Sequence, residues 1–276
     1  MKGEIVVLVE NSVRHKGLLA EHGLSFYIKT EEGALLFDTG QSDLLLRNAN
    51  ALGVPLSDVA YVALSHGHYD HTGGLLAFLQ RSRRRIKVFA HPDAFTNPHF
   101  ICGKNGERRE IGIPFSERDI SEYADIIKDS EAREILPGIV LSGEIKRITP
   151  YEDVGKGFFL DEECLKPDPI RDDQALFLDT REGILILFGC GHSGIVNTLY
   201  RARELFPKKR IRGIMGGFHL EDASDERLER TIEELKRMEV KEILPGHCTG
   251  WKALCRFAQQ EDWATIPLFV GLRYIF

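Results

Sequence analysis

The sequence predicts an α/β fold in which sheets are covered by helices on their outer faces. Three observations carry this reading. Short apolar, β-branched runs alternate with segments of helical periodicity along much of the 276 residues. One run, VAYVALS (59–65), is almost continuously apolar, as expected of a strand buried on both faces. The regular stretches form two strand-then-helix halves, separated by a less regular region from about 91 to 169.

The elements follow in order. IVVLV (5–9), LSFYIK (24–29) and ALLFD (34–38) read as strands, and SDLLLRNANAL (42–52) as a helix with a serine cap. VAYVALS is followed by a helix at GGLLAFLQRS (73–82) and a strand at IKVFA (86–90). From His91 to about Pro169 prolines, glycines and charges accumulate. This region is expected to be a cap inserted within a single domain spanning 1–276, with ERDISEYADIIKDSEARE partly helical. QALFLD (174–179) and GILILFG (183–189) read as a hairpin joined by TREG, and 195–206 as an amphipathic helix. IRGIMGG (211–217) and KEIL (241–244) are expected strands. ASDERLERTIEELKRM (223–238) and GWKALCRFAQQ (250–260) are expected helices, and IPLFVGLRYIF closes a sheet.

Composition narrows the function. A hydrophobic fraction of 43% with 28% charged residues is that of an ordinary globular protein. No apolar run approaches the roughly 20 residues that span a bilayer. MKGEIVVLVEN reads as a first strand and not as a signal peptide, so the cytoplasm is the expected compartment. A net charge of −6 argues against nucleic acid as a partner. The basic run RSRRRIK (81–87) is read as a solvated helix end, and Arg108, Arg109 and Arg171 as exposed. The expected partner is a small-molecule substrate, and oligomeric state is unreadable. Five cysteines, with no CxxC, predict neither a disulfide framework nor a zinc ribbon.

The histidines are not scattered. His66, His68, Asp70 and His71 crowd into LSHGHYDHTGG (64–74) directly after a predicted strand. His192 lies in FGCGHSG, His219 in GGFHLE and His247 in LPGHCTG, each after a short apolar run and each beside glycine. Strand ends on one edge of an α/β sheet are where such proteins place their sites. Imidazole and carboxylate are zinc donors. His66 and His68 can point one way while Asp70 and His71 turn to the other, so this loop suits two adjacent ions better than one. His15, His91 and His99 lack the strand-end setting and are expected on the surface or in the cap. The LLFDTG stretch (35–40) matches the aspartic-protease loop, but that mechanism needs two such aspartates and the chain has one DTG. Asp38 is instead expected to support the histidine loop by hydrogen bonding. Asn11, Glu21, His22 and Ser25 are candidates for the substrate pocket or for support of the ligands.

HGHYDH fits HxHxDH, and with it the chain resembles the metallo-β-lactamase superfamily. Within that superfamily it is similar to the dihydropteroate-synthase-like group, which is named for synthesis of a dihydropterin-methyl-ribofuranosyl-aminobenzene phosphate. The resemblance rests on VLVEN (7–11), EHGLS (21–25), LLFDTG, DDQAL (172–176), GCGHSGIVN (189–197), GGFHL (216–220) and PGHCTG (245–250). It implies a four-layer αββα sandwich with a dinuclear zinc-type site. His66, His68 and His192 would hold one divalent ion, and Asp70, His71 and His247 the other. Zinc is the first expectation, with iron or manganese open. A hydroxide held by the ions would be the nucleophile, with Asp70 assisting as ligand or proton acceptor. A redox diiron centre is disfavoured because His68 stands where those relatives carry glutamate.

The chain departs from the family at GCGH. The usual bridging aspartate falls near Cys190, where a thiolate ligand or a small buried cysteine are both open, and Asp173 is another acid nearby. His219 is open between metal, substrate and a structural hydrogen bond. Three functions follow. The first is hydrolysis of a small ester, lactone or phosphoester. The second is the pterin-related condensation, and the third is a non-catalytic metal-dependent binding or sensing protein.

Overall fold

The computed structural model describes every residue except Lys104 and Asn105. Two seven-stranded sheets form the body. The first contains β1 (Gly3–Val9), β2 (Ser25–Thr30), β3 (Gly33–Phe37), β4 (Val59–Ala63), β5 (Ile86–Ala90), β8 (Ala124–Lys128) and β17 (Arg273–Ile275). Their spatial order is β17-β1-β2-β3-β4-β5-β8. The second contains β9 (Arg133–Leu136), β10 (Ile139–Leu141), β12 (Ala175–Thr180), β13 (Gly183–Phe188), β14 (Ile211–Gly217), β15 (Glu242–Gly246) and β16 (Ala264–Thr265). Their order is β16-β15-β14-β13-β12-β10-β9. A small third sheet joins β6 (Phe100–Cys102), β7 (Arg108–Glu110) and β11 (Phe158–Phe159).

Side-chain alternation divides the apolar residues into three layers. Leu185 and Leu187 of β13 meet Ile5, Val7, Leu35 and Phe37 of the first sheet between the two sheets. Ile184, Ile186 and Phe188 of the same strand face the other way, under α6 (Ile195–Leu205), α7 (Asp225–Arg237) and α8 (Trp251–Ala258). Val6, Leu8 and Leu36 face α1 (Leu44–Leu52) and α3 (Leu75–Arg81) on the outside of the first sheet. β13 is therefore apolar at every position, because it lies in two cores at once. The result is the expected αββα sandwich. Three one-turn helices, α2 (Tyr69–Thr72), α4 (Asp93–Thr96) and α5 (Glu117–Ile120), lie in connections. No helix among the described residues is long and apolar enough to cross a membrane.

Strand direction places the site. β3, β4, β5 and β8 run parallel, as do β13, β14, β15 and β16. β1 is antiparallel to β2 and β2 to β3, so β1 ends on the same edge as β3. The carboxyl ends of β1, β3, β4, β13, β14 and β15 consequently deliver Asn11, Asp38, His66, Cys190, His219 and His247 to one edge of the sandwich.

Three expectations are corrected. The region 91–169 is only partly a cap, since β8 extends the first sheet and β9 and β10 the second. ERDISEYADIIKDSEARE is partly helical as expected, at α5, while its ADIIK stretch is β8, whose apolar run is hidden among charges because Asp125 and Lys128 are exposed on an edge strand. The capping part is the small sheet with its loops. Second, Cys102 and Cys164 form a disulfide with their Cα atoms 6.4 Å apart, and Cys190, Cys248 and Cys255 remain free. The odd total concealed this pair, whose partners are 62 residues apart. Third, His91 and His99 are both buried. IPLFVGLRYIF does close the first sheet, through β17 paired to β1.

The layer between the sheets should dominate stability. Leu187→Ala, at a fully buried position of that layer, is expected to cost about 2–5 kcal/mol, read from denaturant unfolding of the metal-free protein.

Candidate metal centre

Two groups of donor atoms meet at the common edge. His66, His68 and His192 bring one nitrogen each within 4.8 Å of one another, and all three residues are buried. His66 Nε2 lies 2.9 Å from His68 Nδ1. In the second group Asp70 Oδ2 lies 3.6 Å from His71 Nε2 and 3.3 Å from His247 Nε2, and these two nitrogens are 3.2 Å apart. The sequence-predicted triads are thus each brought together in space.

The outer nitrogen of most of these imidazoles is tied down, which fixes where the inner lone pair points. Asp38 is the main tie. Its Oδ1 accepts the Ser65 N–H at 2.7 Å, and its Oδ2 accepts both the Ser65 hydroxyl at 2.7 Å and His71 Nδ1–H at 2.7 Å. Having donated to Asp38, the Ser65 hydroxyl accepts from His66 Nδ1–H at 2.8 Å. His192 Nδ1–H donates to the Val154 carbonyl at 3.1 Å, and His247 Nδ1–H to Asn11 Oδ1 at 2.9 Å. The inner nitrogens of His66 and His192 are therefore left as acceptors, and those of His71 and His247 stand 3.2 Å apart beside the Asp70 carboxylate. His192 Nε2 is buried without a partner among the described residues. Such a surplus of lone pairs over protons is what a cation would satisfy, so the donor set fits divalent metal.

Electrostatics separate the two groups. Burial, reinforced by neighbouring imidazoles, holds His66 and His192 well below the usual histidine value and His68 down at about 3, so the first triad is neutral. Burial also opposes charge on His71, but Asp70 and Asp38 outweigh it and raise this imidazole to about 9. Asp70 is held well below the carboxylate range: burial works against its charge, but His71, His22 and His247 prevail. The side chains of the second triad are themselves buried, at 9% exposure for Asp70, 0% for His71 and 1% for His247, but Asp70 Oδ2 lies 3.2 Å from Nε2 of His22, whose side chain is 56% exposed. Phe158 of the small sheet covers the first triad, with its ring 5.5 Å from that of His68 and 5.2 Å from that of His192.

The remaining candidates sort by contact. Asn11 joins His247 to the loop at Gly23 and also approaches His22. Ser25 donates to the Asp38 carbonyl at 2.8 Å. Glu21 reaches neither triad and accepts instead from the backbone of Gln41 and Ser42. Asp173 is also not a ligand: its Oδ2 accepts the Ser193 N–H at 2.7 Å, and burial pushes its carboxyl up to about 6. Cys190 Sγ lies 3.2 Å from His71 Nε2, and burial raises its thiol. The His219 ring lies tilted 4.3 Å from that of His192, its Nδ1 is buried without a partner among the described residues, and its backbone N–H donates to Cys248 Sγ. Asp38, His219 and His247 have φ of 59°, 44° and 50°, half of the six non-glycine residues with positive φ among those described. Left-handed backbone at three site positions is a local cost that asparagine, aspartate and histidine bear better than most residues.

Sequence reasoning missed several supports. Asp172 accepts the Gly67 N–H at 2.6 Å, and Gln174 N–H donates to the Ser65 carbonyl at 2.8 Å. DDQAL thereby fastens the HGHYDH loop with Asp172 and Gln174 and the GCGHSG loop with Asp173. Two acids before a strand were the available signal. Glu10 accepts the His247 N–H at 2.7 Å. His99, expected on the surface or in the cap, lies in the cap, held by Asp168 at 2.6 Å with its ring 5.3 Å from His68. No local motif marks it, because the contact is made through the folded cap.

With this fold and this centre, the chain belongs to the metallo-β-lactamase superfamily, whose family model matches residues 19–247. It is 36% identical to an uncharacterized protein of Methanocaldococcus jannaschii, covering 94% of this chain and 95% of that one. It is 31% identical to the 7,8-dihydropterin-6-methyl-4-(beta-D-ribofuranosyl)-aminobenzene-5'-phosphate synthase of the same organism, covering 87% and 85%. Among solved structures it resembles Tm1679, described as a metal-dependent hydrolase of the beta-lactamase superfamily, with a TM-score of 0.85, 30% identity and coverage of 99% and 98%.

Asp38→Asn tests the support of His71. Asparagine tolerates the left-handed backbone but lacks the charge that orients the imidazole. It is expected to weaken binding of added divalent metal by about 10–100-fold in chelator competition, with the far-ultraviolet circular dichroism unchanged.

Proposed function

We propose that the protein is a metal-dependent hydrolase of a small-molecule ester, lactone or phosphoester, using two divalent ions, zinc before iron or manganese. The observation that supports this best is the abutment of two buried donor triads, the second of which meets the exposed His22 through Asp70. His66, His68 and His192 would hold the inner ion, and Asp70, His71 and His247 the outer. Ions there would supply Lewis acidity, which polarises a carbonyl or phosphoryl oxygen and makes water acidic near neutrality. The chain's own groups do the rest. Asp38 and Asn11 hold the His71 and His247 rings in place. His22, raised by its hydrogen bond to Asp70, holds a proton more readily than a free imidazole at the exposed side of that carboxylate. Phe158 excludes water from the inner triad.

The second reading is a pterin-related condensation, favoured by the 31% identity to the synthase over 85% of its length. The same centre would then stabilise a departing anion, with water kept out of the reaction.

Metal analysis with a turnover panel separates these. The hydrolase reading expects about two equivalents of zinc, turnover on phosphodiester or ester substrates, loss on chelation and recovery with zinc. His68→Ala should lower turnover by at least about 100-fold, since loss of a ligand exceeds the loss of its supports. Tight pterin binding without turnover on any ester would shift the assignment to the condensation. Full metal loading with neither would leave a binding or sensing protein.

A further inference from the structure

One imidazole of the two triads is held differently from the rest, and what holds it belongs to the cap. We propose that His99, anchored by Asp168, is the positioning residue for His68, so that the folded cap sets the geometry of the inner triad. The inference rests on the metal reading above and deepens it.

Four of the five imidazoles are steered by a hydrogen bond on the outer nitrogen: His66 by Ser65, His71 by Asp38, His192 by the Val154 carbonyl and His247 by Asn11. His68 is the exception. Its Nδ1 faces His66 Nε2 at 2.9 Å, so Nε2 is its outer nitrogen, and that atom is buried with no partner among the described residues. Two rings of the cap hold His68 instead. Phe158 stacks on it at an interplanar angle of 22°, and His99 stands against it at 87° with the ring centroids 5.3 Å apart. In close packing, a ring gripped from two nearly perpendicular directions cannot tilt without displacing one of its neighbours.

His99 is itself fixed. Its Nδ1–H donates to Asp168 Oδ2 at 2.6 Å, while Asp168 Oδ1 accepts the Ile170 N–H at 2.7 Å. Its Nε2 lies 3.8 Å from Asp172 Oδ2, and a Cβ at Gly67 would stand 3.0 Å from the same nitrogen. His99 therefore packs on the backbone between His66 and His68 as well as on the His68 ring. Cys102 follows His99 by three residues and Cys164 precedes Asp168 by four, so the disulfide ties together the two segments that carry the pair. Phe158 alone would exclude water. The carboxylate–imidazole pair adds direction, because a buried hydrogen-bonded network rigidifies what an apolar contact lets slide.

Chelator competition for zinc, with cobalt(II) as an optical probe of ligand geometry, tests this on the full-length protein. His99→Ala and Asp168→Ala should each weaken zinc binding by about 10–100-fold and shift the visible cobalt bands. Asp168→Asn keeps a hydrogen-bonding group against His99, and should restore most of the affinity and the wild-type cobalt spectrum. Circular dichroism checks that each variant is folded, and the Asp168 variants keep the test open if His99→Ala is not. A lowered unfolding midpoint with wild-type zinc affinity and cobalt bands would give His99 and Asp168 a structural role only, and would overturn the inference alone. Affinity lost in Asp168→Ala and not regained in Asp168→Asn would do the same. A wild-type protein that binds neither zinc nor cobalt would overturn the metal reading and the inference together.

Discussion

One buried carboxylate orders an imidazole in each half of the site. Asp38 is fully enclosed, and its two oxygens take three hydrogen bonds, from the Ser65 backbone, the Ser65 hydroxyl and His71. Through Ser65 it also sets His66. A single anion thus fixes one imidazole of each triad. Burying a carboxylate is unfavourable unless it is well hydrogen-bonded, and here every bond it accepts also orders part of the centre. Its own left-handed backbone is sustained by Ser25, which binds the Asp38 carbonyl.

The same economy extends outward. DDQAL fastens the loop after β4 and the loop after β13, which belong to different sheets. Glu10 and Asn11, at the end of β1, hold the backbone and ring of His247 from the opposite sheet. The centre is therefore assembled across the sandwich by side chains that cross between the sheets, while the outer helices serve to cover the far faces. His22 and Phe158 then give the two triads different surroundings, one beside an exposed imidazole and the other under an aromatic ring.

Much of this was legible in the sequence, for definite reasons. The central strands announce themselves because residues such as Leu185 and Ile186 face two cores, so no polar alternation dilutes the run. The donors were legible because metal chemistry restricts residue type, and because HGHYDH packs four of them into six positions. What escaped has the opposite character. His99 and Asp168 meet across 69 residues, and nothing near either one marks the pairing. Ser65 is an ordinary serine until Asp38 and His66 are placed on its two sides. β8 was hidden because an edge strand is half polar, and the Cys102–Cys164 pair because three unpaired cysteines surround it in the count. Local pattern reports burial and donor chemistry, whereas hydrogen bonds over long separations depend on topology.

The donors are divided between the sheets. His66, His68, Asp70 and His71 follow a strand of the first, and Cys190, His192 and His247 follow strands of the second. Whatever occupies the centre is consequently a rivet through the sandwich. It adds a cross-link at the edge where the apolar layer between the sheets stops, and its binding free energy is coupled to their staying together. Loosening that layer and emptying the site become the same mechanical event, felt at the edge before the helices on the outside register any change.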